Sequence, residues 1–248
     1  MDQTDVWLDD IELATLSQIK EILDEYTRLV ARGFNLIAKA LELERQLQSP
    51  SNSRLVTTHL LGRLSNDLRC IVMLAECGYA MQAASLAACA FESGITVAYI
   101  GSDDTRADIW QDHDDFKSWG DIKVYDLLKG SLQKVSPPDG PNLEQNTLHI
   151  YDCVYRPVAA AKHSNPVIQM MHSNDPKMID SANATIMSEA SLRIAKQSLL
   201  TAVFASIMAL IEYIKYHLKM ELGASLLEFV QELKLDYLRV VQTHNEGK

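Results

Sequence analysis

Glycine and proline are scarce in this sequence, at 10 and 7 of 248 residues. Long stretches without breakers exclude the many short, turn-linked strands of a β-sandwich. Cysteine is present only as Cys70, Cys77, Cys89 and Cys153, with no CxxC pair, so neither a zinc knuckle nor a thioredoxin-type redox pair is indicated. Three of these thiols fall in apolar runs, and the cysteines are expected to be buried and reduced. Basic residues are outnumbered, 23 Lys and Arg against 33 Asp and Glu, for a formal charge of −10. That negative field opposes the coating of DNA or RNA and of anionic lipid. No Walker loop, GxGxxG, GxSxG, kinase signature, HExxH or EF-hand spacing occurs. The start, MDQTDVWLDDIE, lacks a basic region followed by an apolar stretch, so no signal peptide and a cytoplasmic location are expected.

Apolar residues make up 47% of the chain, enough for a continuous core, and they recur with helical period. From 9 to 48, Leu16, Ile19, Leu23, Tyr26, Val30, Phe34, Ile37 and Leu41 follow one face of a long amphipathic helix. Gly33 is a candidate break in it, and SPSNS (49–53) supplies a stop and new N-caps. Apolar helices are predicted over 53–77 and 79–100, the second crowded with alanine and therefore suited to close helix approach. Shorter helices are expected from about Thr105 and over 121–129, with VSPPDGPNLEQN (135–146) a loop. Helical pattern resumes over 147–163, with Pro157 kinking it or forcing a new first turn. Residues 164–177 read as irregular, and two long helices follow over 184–218 and 224–241, separated at Gly223.

The run LLTAVFASIMALI (199–211) is the strongest membrane candidate. A span needs about twenty apolar residues, so a buried core helix is expected instead. The predicted fold is all-α, a single helical bundle with long N- and C-terminal helices and two nearly all-apolar central helices. An N-terminal amphipathic helix (1–52) is expected to continue into the bundle (53–248) as one domain.

The stretch LLGRLSNDLRCIVMLAECGYAMQAASLAACAFES (60–93) resembles the opening of domain-of-unknown-function family 5677, a group of uncharacterised, mostly bacterial helical proteins. The likeness runs through an acidic turn and a helix holding Trp110 to the Tyr-and-His helix YDCVYRPVAAAKHSNP (151–166), and covers roughly 60–215. Glu92 matches the acid that ends that family's small-residue helix, and His163 matches the histidine closing its Tyr helix. The basic residue found about one turn before the acid in many members is absent here, where Ala88 and Cys89 stand.

Arg156 and His163 also match the active-site pattern of the HEPN ribonucleases, an Arg followed by His after four to six residues. That resemblance implies His163 as general base on a ribose 2′-hydroxyl and Arg156 holding the developing phosphate charge, without a metal. Residues seven apart on a helix differ by about 20° around its axis, so the pair is geometrically sound. The same spacing recurs at Arg54/His59, Arg106/His113 and Arg239/His244, and Pro157 follows Arg156 where those enzymes carry a polar residue.

Glu92 lies among Phe91, Ile95 and Val97 and needs a partner or a proton. Arg63, Arg69, Lys162 and His163 are candidate cations, and Tyr151 and Tyr155 candidate hydrogen-bond donors. Glu92, Trp110, Tyr151, Tyr155 and Lys162 together are the candidate substrate-binding set. Asp108, Asp112, His113, Asp114 and Asp115 read as a solvated acidic turn rather than a metal site, and Met170, Met171, Met178 and Met187 as cover for the core beneath a loop, with a partner surface the alternative. The leading functional reading is a protein-binding or self-associating module with no cofactor. A HEPN-like ribonuclease acting as a toxin or in antiphage defence, and a small-molecule pocket between helices, are the alternatives.

Overall fold

The computed structural model describes residues 10–44, 50–112, 123–135, 142–162, 189–218 and 220–246. They form α1 (Asp10–Glu44), α2 (Asn52–Glu76), α3 (Ala80–Ile100), α4 (Asp104–Gln111), α5 (Val124–Val135) and α6 (Leu143–Ile150). A π-helical turn (Tyr151–Tyr155) then leads into α7 (Arg156–Lys162), followed by α8 (Glu189–His217) and α9 (Met220–Glu246). No strand occurs among the described residues, and the helices pack on one another as a bundle.

Small side chains decide how the two most apolar helices meet. α3 and α8 share the largest helix–helix interface, and a Cβ added to Gly94 of α3 would lie 2.6 Å from the Ala205 carbonyl oxygen of α8. Only glycine permits that backbone approach. Around the crossing Phe91, Ile95, Leu199 and Leu210 are fully buried. Both helices are long and apolar enough to cross a membrane by length and composition, but most of each apolar window is covered by other helices. α1 packs along α8, α2 and α9 and closes the bundle.

Buried hydroxyls on these helices bond to the backbone one turn back, as Ser198 does to Ile194 O and Ser206 to Ala202 O, which satisfies them without a partner helix. Caps mark the starts. Ser51 accepts from the Arg54 N–H, Asp103 from Arg106 and Asn142 from Glu144. Asp104 reaches across to accept the Ser53 N–H at 2.8 Å, and its bonds to Ser53 hold its carboxyl below the usual range. The C-terminus of α3 is met by cations: Lys134 Nζ donates to Ala98 O and Tyr99 O, and Arg106 Nη1 to Tyr99 O. Burial lowers the Lys134 ammonium to about 8.

Several boundaries differ from the sequence reading. α1 runs unbroken through Gly33, where a Cβ would come within 3.2 Å of Ser206. Gly223 likewise lies inside α9 rather than before it, with Ile214 3.0 Å from where its Cβ would be. Both glycines mark close approach of helices, not helix ends. α5 extends to Val135, past Lys129, and α6 begins at Leu143 because Asn142 caps it, so residues 143–146 of the predicted loop are helical. Cys70, Cys77 and Cys153 are exposed and Cys89 is half-buried, because the first two lie on the outward face of α2 or just beyond it. All four are free thiols. The irregular 164–177 segment, the methionine cluster and His163 lie outside the described residues.

Candidate functional site

Glu92 occurs where α3 faces α7, and its carboxylate is fully engaged. Lys162 Nζ donates to Oε1 and to Oε2, both at 2.8 Å, and the Tyr155 hydroxyl donates to Oε1 at 2.7 Å. Lys162 and Glu92 retain roughly a third of their side-chain exposure, 31% and 28%, so this is a half-buried pair. Burial, then the bond to Glu92, pushes the Tyr155 hydroxyl well above the ordinary phenol range, so it stays a donor. Cys89 lies one turn earlier on α3, its thiol raised by burial and lowered by Lys162. Asp67 of α2 completes the cluster; its Oδ2 is buried without a hydrogen bond, and burial raises its carboxyl against the field of Arg63. Chemically, the Glu92 arrangement ties α7 to α3.

Tyr151 joins through its ring, 5.4 Å from Tyr155 and 5.6 Å from Tyr125. Phe91 and Phe204 continue the aromatic row into the core. Thus Glu92, Tyr151, Tyr155 and Lys162 come together as the sequence suggested. Trp110 does not join them: its ring lies 6.5 Å from His59 of α2, and no hydrogen bond or ring contact links it to Glu92 among the described residues. Arg156 is exposed and 3.4 Å from Asp152, outside the Glu92 cluster. Asp108 and Asp112 are exposed, with Asp108 accepting from Asn52. No group of His, Cys, Asp and Glu able to hold a metal occurs among the described residues; His113, Asp114 and Asp115 lie outside them.

Pro157 explains the one π-helical turn among the described residues. It has no N–H for the Cys153 carbonyl one turn back, and the helix widens into a π turn closed by the Arg156 N–H on Tyr151 O. Side chains of α8 donate to this stretch. Gln197 Nε2 donates to Cys153 O at 3.1 Å, and the Thr201 hydroxyl to Val154 O at 3.0 Å. Beside this seam, the end of α6, the π turn, α7, α8 and α9 line an open cleft of about 520 Å³. Val154, Val158, Leu200, Phe204, Tyr237 and Val241 form its apolar wall, and Arg193, His149 and His244 are its ionisable bases.

Cys153, His244 and the 199–211 run that holds Leu200 and Phe204 stand out in the sequence for other reasons, and nothing there groups them as a cleft. Pro157 within a helical pattern is the one available signal, since it leaves a carbonyl that another element must satisfy. Compared with family models, curated proteins and solved structures, the chain matches none.

Proposed function

We propose that this chain is a binding module rather than a catalyst, and that the cleft bounded by the end of α6, the π turn, α7, α8 and α9 takes an apolar guest. The observation that carries the reading is the cleft itself, about 520 Å³ of open, largely apolar space on a well-packed scaffold. Ligand sites typically span about 300–1,000 Å³ and combine apolar walls with a few polar groups. That size favours a small molecule over the protein partner or second copy expected from sequence. The polar candidates supply no competing reading. Glu92 is held by Lys162 and Tyr155, Arg156 lies exposed beside Asp152, and His163 lies outside the described residues, so no observation favours a ribonuclease. The likeness to domain-of-unknown-function family 5677 adds no activity.

N-phenyl-1-naphthylamine, a neutral dye that brightens in apolar surroundings, tests the reading. The wild-type chain is expected to bind it saturably at one site. Leu238, half exposed at the cleft, is replaced by Trp to fill the mouth, with the more exposed Leu235→Trp on the same helix as control. Leu238→Trp is expected to weaken binding by about tenfold or more, and Leu235→Trp to leave it unchanged. Equal behaviour of the two variants, or no saturable binding at all, rejects the cleft as the site.

A further inference from the structure

The cleft carries a charge pattern opposite to that of its protein. The chain has 33 acids against 23 Lys and Arg, yet no aspartate or glutamate is among the described residues lining the cleft. Arg193, His149 and His244 are. Most described arginines sit in ion pairs, as Arg32 does with Asp236 and Arg54 with Glu44. Arg193 is exposed at the start of α8 and pairs with no carboxylate among the described residues. A guanidinium at the edge of apolar space presents a planar fork that matches a carboxylate with two parallel hydrogen bonds.

The rest of the lining points to the other end of the guest. Gln197 Nε2 already donates to the Cys153 carbonyl, and the Thr201 hydroxyl, one turn on, to that of Val154. From Gln197 the lining runs on through Leu200, Phe204, Tyr237 and Val241. A polar group on the guest that faced this mostly apolar wall would find few partners and would cost binding energy. Hydrocarbon is the complement of this part of the cleft.

From these two halves we infer that the cleft binds an apolar monocarboxylic acid, with its carboxylate on Arg193 and its chain against α8 and α9. The inference rests on the cleft being the binding site, and goes beyond it in naming the chemical class.

Decanoate and its neutral counterpart 1-decanol are the probes, read by displacement of N-phenyl-1-naphthylamine from the full chain. Protection of the exposed Cys153 thiol, which lines the cleft, from iodoacetamide locates the bound probe by peptide mass. Decanoate is expected to bind about tenfold more tightly than decanol, since a hydrogen bond to a charged group is worth roughly a factor of ten or more. Arg193→Gln, on an exposed position that perturbs no core contact, is expected to collapse that ratio toward one. Leu238→Trp weakens both probes. The inference is overturned if decanoate shows no advantage, if Arg193→Gln preserves the advantage, or if Cys153 is left unprotected. Dye binding that survives such a result leaves the cleft standing as an apolar site, whereas absence of dye binding removes the cleft as well.

Discussion

Glu212 of α8 is 1% exposed, and neither carboxylate oxygen has a hydrogen-bond partner. Burial raises its pKa, opposed by the fields of Lys215 and Lys134. A carboxyl with a raised folded pKa binds its proton more tightly when folded, so its ionisation erodes stability as pH rises above the ordinary value of 4.5. Glu212→Gln keeps the shape and removes the ionisation. It is expected to gain about 1 kcal/mol or more over the wild-type chain at pH 8 and little near pH 4, measured by urea unfolding at both. His217 acts from the other side. Burial lowers its imidazole to about 4, and its neutral Nε2–H donates to the Gly101 carbonyl at 2.8 Å. The unfolded chain binds this proton first, so stability is lost as pH falls from 6.5 to about 4. The gap between those two values corresponds to roughly 3 kcal/mol. His217→Gln, whose amide can still donate to Gly101, is expected to flatten that acid limb of the unfolding profile.

Among the helices, identical residues have opposite roles. Gly94 lets the backbone of α3 touch that of α8, and a methyl carbon placed there would lie 2.6 Å from Ala205 O, which leaves no room for any side chain. Gly94→Ala must push the two central helices apart and is expected to cost about 1–3 kcal/mol. Gly62 of α2 has nothing within 4 Å of such a carbon. Gly62→Ala is therefore expected to stabilise by about 0.5–1 kcal/mol, through lower backbone entropy in the unfolded chain. Thermal or urea unfolding of the two variants side by side gives the sign directly. The π turn is a second feature of this scale, since a proline in one helix and a glutamine and a threonine in another jointly determine its geometry.

For the molecule as a whole, two apolar helices that could each span a lipid bilayer by length instead bury their faces in one another and in α1 and α2. Exposed carboxylates such as Glu42 and Glu144 form ion pairs, and the cleft is left without acids among its described lining residues.

Helix identity was legible because it depends on spacing and breakers, which are local. The 3.6-residue recurrence from Leu16 to Leu41 and the alanine-rich 79–100 stretch both became the helices they suggested. The carboxylate of Glu92 required a partner on dielectric grounds, and Lys162 and Tyr155 were among the few groups able to serve. Gly33 and Gly223 could not be read, because a missing side chain means a break or a close approach according to what lies opposite. The cleft was equally hidden, as its walls come from the end of α6, the π turn, α7, α8 and α9, brought together only by packing. Periodicity, capping residues and the demand of a half-buried carboxylate for a partner are written along the chain, so sequence alone determined an all-helical bundle and the neighbourhood of Glu92. Where Arg193 stands without a carboxylate partner among the described residues, and where a cavity opens beside Pro157, depended on side chains far apart in sequence meeting or failing to meet. Only the tertiary structure decided that.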